Sequence, residues 1–153
     1  MNFESFKLVE SNMSAQQYVY EGYKTENGIH LEHYISTRKW DDKTLEYAEC
    51  HNIVRTIDGD EKIFQKLCAL FGNCKIIEWA GFHGYDTRAL DGTSMSFKAV
   101  LADGTNVNAE GTNSFPKNFS TFTQGLRNLI STEKINSVKF TDGIYEVTLP
   151  ESW

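Results

Sequence analysis

At 153 residues the chain has the length of a single domain, read here as residues 1–153, and can bury roughly 68–70% of its unfolded surface. A hydrophobic share of 40% with 13% aromatics argues against disorder. A net charge of −6, with 15 Lys and Arg scattered along the chain, argues against a nucleic-acid partner.

The N-terminus, Met1-Asn2-Phe3-Glu4-Ser5, lacks the basic and apolar regions of a signal peptide. No apolar run approaches the ~18 residues of a membrane span. The expected location is therefore cytoplasmic, with no membrane partner. Cys50, Cys68 and Cys74 are odd in number and lack motif spacing, so they are expected as buried, reduced thiols. Cys68 and Cys74 could lie close together if Cys74 folds back after a helix.

Taken in chain order, residues 2–10 read as a weak strand and 11–15 as a loop. Residues 18–24 and 29–37 read as strands joined at Glu26-Asn27-Gly28, a hairpin signal. Two registers fit. A two-residue turn places Tyr18 and Tyr20 with Ile29, Leu31 and Ile35. A three-residue loop places Val19 and Tyr23 there instead and sets Glu21 opposite His33. Residues 40–43 read as a charged loop and 45–54 as a fourth strand. Asp58-Gly59-Asp60-Glu61 opens a helix over about 59–72, with Ile63, Phe64, Leu67, Cys68 and Phe71 on one stripe and Gly72-Asn73 at its end. Residues 75–79 read as a short apolar strand, and 80–92 as a long loop of the kind that often carries function.

From Ser94 to Leu101 apolar residues alternate: Met95, Phe97, Ala99 and Leu101 share a face. The side-chain pattern selects the turn that follows. A three-residue loop, Ala102-Asp103-Gly104, pairs Ala99 with Val107 and Phe97 with Ala109, so all apolar groups share one face. That loop requires Gly104 in the left-handed region. Gly111-Thr112-Asn113-Ser114 is turn chemistry, and Phe119, Phe122, Leu126, Leu129 and Ile130 place a second helix at about 117–131. A last hairpin is expected with Val138, Phe140, Tyr145 and Val147 on one face of an Asp142-Gly143 turn. About nine short strands in hairpins and two helices predict an α+β domain, a mainly antiparallel sheet with both helices packed on one face.

The motifs Trp79-Ala80-Gly81-Phe82, Asp91-Gly92 with Phe97, Asp103-Gly104 and Gly111-Thr112-Asn113-Ser114-Phe115-Pro116 give this region a recognisable pattern. It resembles a domain of uncharacterised bacterial proteins, over roughly residues 76–130, about one third of the chain. No activity is assigned to that family, so the resemblance implies neither catalytic residues nor a cofactor.

Candidate chemistry is sparse. His30 and His33 are three apart on a strand and point to opposite faces, so no metal site is expected of them. His83, Tyr85, Asp86 and Arg88 lie in the long loop; with Glu110 and Asn113 they form the densest set of acid, base and anion-binding groups. The loops 80–92 and 110–116 flank one hairpin and should lie at the same end of the sheet. The Gly111–Pro116 turn could present backbone N–H groups to an anion, or could simply cap the helix through Ser114 or Ser120. Tyr18, Tyr20, Tyr34 and Trp40 are candidates for an exposed interaction surface. No nucleophile elbow, HExxH, Walker loop or dinucleotide pattern is present. The sequence thus reads first as a non-catalytic binding module, with a protein partner or self-association, no catalytic residues and no cofactor. The alternative is a small-ligand binder or enzyme with its site between the two loops.

Overall fold

The computed structural model describes residues 1–12, 16–88, 92–132 and 137–140. Its strands are β1 (Phe3–Ser11), β2 (Gln17–Thr25), β3 (Gly28–Asp41), β4 (Glu46–Asp60), β5 (His83–Tyr85), β6 (Ser94–Leu101), β7 (Asn106–Thr112) and β8 (Ser137–Phe140). They form one sheet in the order β5-β7-β6-β1-β2-β3-β4-β8. All neighbours are antiparallel except β5 and β7. Two helices, α1 (Glu61–Asn73) and α2 (Phe119–Thr132), complete the α+β architecture. No helix among the described residues is long and apolar enough to cross a membrane.

The strand that looked weak is central. β1 lies between β2 and β6 and joins the two hairpin halves of the sheet. Its pattern is obscured by a register shift between Phe3 and Ser5, which turns Phe3 to the same face as Phe6 and Leu8. All three side chains are buried. They meet the stripe predicted on α1: Phe71 stacks on Phe3 at 4.3 Å and meets Phe6 edge-on at 5.5 Å. Asp60 caps α1, its carboxylate accepting from the Ile63 N–H at 3.0 Å.

The hairpin of β6 and β7 has the predicted register, Ala99 opposite Val107 and Phe97 opposite Ala109. Leu101 N–H donates to the Thr105 carbonyl across the three-residue loop, and Gly104 has φ +88°. The register left open for β2 and β3 is that of the two-residue turn, Thr25 opposite Gly28 and Tyr20 opposite His33.

Several expectations are corrected. Residues 40–43 are not simply a loop: β3 runs to Asp41, whose side chain and carbonyl accept from the Lys43 and Leu45 N–H groups to make the turn. β4 continues past residue 54 to Asp60. Residues 76–79 form a 3-10 turn rather than a strand. Ile76 and Trp79, three apart, are both buried while Ile77 is exposed, a period of three that fits that turn. The loop 80–92 contains β5, paired parallel to β7. Eight strands are described, and β3 and β4 are long; the Asp142-Gly143 turn and the strand expected after it lie outside the described residues. The helices begin and end within about two residues of their predicted bounds.

Two glycines test this geometry. A Cβ on Gly28, at φ +153°, would lie 2.2 Å from the Gly59 carbonyl oxygen, whereas one on Gly104 meets nothing within 4 Å. In urea unfolding, Gly104→Ala is expected to cost about 1 kcal/mol from backbone strain alone. Gly28→Ala should cost well over that, because backbone on β4 must move.

Candidate functional site

The two loops of the sequence reading do come together. β5 and β7 pair, and Asn113 exchanges hydrogen bonds with Thr93, its N–H donating to the carbonyl at 2.7 Å and its side-chain oxygen accepting from the N–H at 3.1 Å. Asn113 therefore holds the loop end, with φ +54°, as Asn tolerates. The cavity there is about 280 Å³ and is bounded by His83, Tyr85, Ser96 and Glu110. His83 and Glu110 lie 3.7 Å apart but are 80% and 65% exposed. Arg88 folds back on Asp86 at 3.1 Å within one turn, and its side chain is 90% exposed. That bond holds the Asp86 carboxyl below its usual range. These charges remain in water, where they exert little on a ligand.

A second set of side chains, on the face that carries the helices, forms a deeper arrangement. A cavity of about 450 Å³ lies between the ends of β1 and β2, the start of β6, the 110–116 loop and α2. Its lining includes Tyr18, Tyr20, Phe115 and Phe119, together with Glu10 and Arg127. Phe115 stacks on Phe119 at 5.0 Å and Tyr20 on His33 at 4.0 Å. Glu10 stands opposite Tyr18 in the β1–β2 ladder. Burial raises its pKa, and the Arg127 charge only partly offsets this.

Tyr20 and Tyr34, expected as outward-facing, are buried, at 2% and 1% exposure. Tyr18 is half-buried in the cavity wall. Tyr34 lies on the opposite face, its ring on His51 at 4.1 Å and its hydroxyl donating to Glu21 at 3.4 Å. Only Trp40 of that set is exposed; it meets Tyr47 edge-on at 5.1 Å across β3 and β4. Beyond Ser36, β3 has lost β2 as a neighbour, so this end of the β3–β4 hairpin projects as a ribbon.

The two histidines of β3 illustrate the two faces. On the outer face, partial burial disfavours the His30 cation, but hydrogen bonds to Asp58 at 2.6 Å and Glu32 at 3.3 Å outweigh it and raise its pKa. That face also holds a groove of about 450 Å³, in which Lys7 pairs with Glu21 at 3.9 Å and His30 with Glu32 at 3.3 Å. On the inner face, burial lowers the His33 pKa to about 2, helped by the charges of Arg55 and Arg127. Glu10, Arg127 and the cavity escaped the sequence reading. The signal was present: Glu10 and His33 are polar residues at positions where Phe6, Leu8, Leu31 and Ile35 set an apolar face.

Comparison with family models, with curated proteins and with solved structures finds no match for the chain.

His33 makes a testable contribution to acid stability. Folded His33 stays neutral, while the unfolded chain binds its proton below the ordinary 6.5. The unfolded state thus holds the extra proton between 6.5 and about 2, and stability falls as pH drops through that window. The slope is at most about 1.4 kcal/mol per pH unit. His33→Phe, which keeps a ring on Tyr20 and cannot titrate, should flatten the fall in unfolding free energy between about pH 7 and about pH 5 by about 1–2 kcal/mol. An unchanged slope would mean that His33 is protonated in the fold.

Proposed function

We propose that this protein is a small non-catalytic binding module and that its ligand occupies the cavity roofed by α2. The observation that carries this reading is a half-open cavity of about 450 Å³ in which a carboxyl and a guanidinium, Glu10 and Arg127, line the space together with aromatic side chains. Binding sites for small molecules combine apolar walls with a few convergent polar groups in just this range of volume. Binding without chemistry is supported by the state of the possible nucleophiles. Cys68 and Cys74 are buried with thiols pushed up in pKa by that burial, and the Ser94 hydroxyl is engaged with Ser11; Cys50, expected buried, is only half-buried but lies mid-strand in β4, away from the cavity lining. The acid–base groups of loop 80–92 are held open to water, so the alternative site between the loops has less to support it.

A thermal-shift screen of small aromatic compounds tests the reading. A ligand at a hundred times its dissociation constant adds ~2.7 kcal/mol, about 5–11 °C for a chain of this size. Tyr18→Ala and Phe115→Ala should remove the shift, and Trp40→Ala should retain it. A shift that survives both cavity variants places the ligand elsewhere and sinks the proposal.

The projecting ribbon favours a second reading, an interaction module working through it. Trp40, Leu45 and Tyr47 are 45%, 71% and 65% exposed there. A Trp40→Ser, Tyr47→Ser double variant should then lose a partner in pull-down, or shift from dimer to monomer in sedimentation, without a change in melting temperature. Retention of both would remove this reading.

A further inference from the structure

The same cavity indicates what its ligand looks like; the inference rests on the binding reading above. Its lining carries one carboxyl, Glu10, and one guanidinium, Arg127. Arg127 lines it, and both Arg127 and Arg55 act on His33 beneath Tyr20. Glu10 is the acidic residue among the described lining groups. The other titratable groups in the lining are Tyr18 and Tyr20 on β2 and Arg127 on α2, with the uncharged Thr93 and Ser94 from the β6 side; His33 on β3, stacked on Tyr20, and Arg55 opposite it on β4 lie outside the lining. Burial works against the ionised form of Glu10 while Arg127 keeps its charge, so a cationic ligand would have to approach the guanidinium. An anionic one meets it, in the planar, two-pronged geometry that guanidinium offers a carboxylate. The walls ask for a flat apolar body, since stacked and edge-on ring contacts are what Phe115, Phe119 and Tyr18 can add.

We propose that the cavity binds a small planar aromatic carboxylate, its ring against the side chains of Tyr18 and Phe115 and its carboxylate on Arg127, sharing a proton with Glu10. Two carboxyl groups that share a site hold one proton between them. Burial raises the Glu10 pKa, which favours taking up that proton, and the bound anion raises it further. Binding therefore consumes a proton whenever Glu10 starts ionised. Affinity falls as pH rises above the free pKa of Glu10, by up to about tenfold per unit, until the bound pKa is passed. His33 does not share in this dependence, because it stays neutral down to about pH 2.

The experiment is calorimetric titration of benzoate, phenylacetate, benzylamine and benzyl alcohol, at about pH 5.5 and about pH 8, with the wild type, Arg127→Gln and Glu10→Gln. The acids should bind best and more tightly at the lower pH. Arg127→Gln should weaken them roughly ten- to a hundredfold without weakening benzyl alcohol, which also shows that the variant keeps its fold. Glu10→Gln, which keeps a donor, should retain the acids and lose the pH dependence. Preference for benzylamine, or acid binding abolished by Glu10→Gln, overturns the assignment. Equal binding of alcohol and acid, indifferent to Arg127→Gln, overturns it too but leaves the cavity as a binding site. Failure of all four compounds to bind counts against the cavity and the inference together.

Discussion

Trp79 donates its indole N–H to the Lys117 carbonyl at 2.9 Å while its ring meets Phe97, Phe119 and Phe122. This side chain is 2% exposed, and a buried indole without an acceptor would be costly. The bond fixes the segment that leads into α2, and the ring contacts fix its first turn against β6. Phe71 of α1 continues the cluster to Phe3, Phe6, Phe97 and Phe122. One contiguous aromatic core thus locks both helices to the same face of the sheet.

The cavity follows from that locking. α2 is anchored through Phe119, Phe122 and Leu126 over the middle of the sheet. Towards the end of β1 and β2 the apolar pattern gives way to Glu10, Tyr18 and His33, and the helix cannot close on polar groups as tightly as on Leu8 and Phe97. What remains is a space walled by rings and carrying charges that water reaches only in part. Its walls come from strands and a helix, with Phe115 added from the 110–116 loop, where its ring stacks on Phe119 of α2.

The two faces of the sheet divide the work. The outer face is a ladder of paired charges, Lys7 with Glu21 and His30 with Asp58 and Glu32, which keeps it wetted. On the inner face Glu10 and His33 are both perturbed by burial. Glu10 and His33 shift toward their neutral forms for one reason, removal from water, although one is an acid and the other a base.

Most of the local structure was legible in the residues themselves. The Phe97–Ala109 register, the Gly104 loop and the stripe of α1 followed from alternation, turn chemistry and helical spacing, because each depends on neighbours close in sequence. The failures had a common cause as well. The strand from Phe3 looked weak because a bulge breaks its alternation, and the segment 76–79 looked like a strand because its apolar residues were read without their partners. His83, Asp86 and Arg88 drew notice because they sit together in the chain, and Glu110 because its loop flanks the same hairpin as theirs. Glu10 and Arg127 did not, since only the position of β1 at the centre of the sheet and of α2 above it brings them to one cavity. Sequence by itself determined the elements and which face of each is apolar; tertiary structure decided which polar residues are taken out of water, because that depends on what packs over them from elsewhere in the chain.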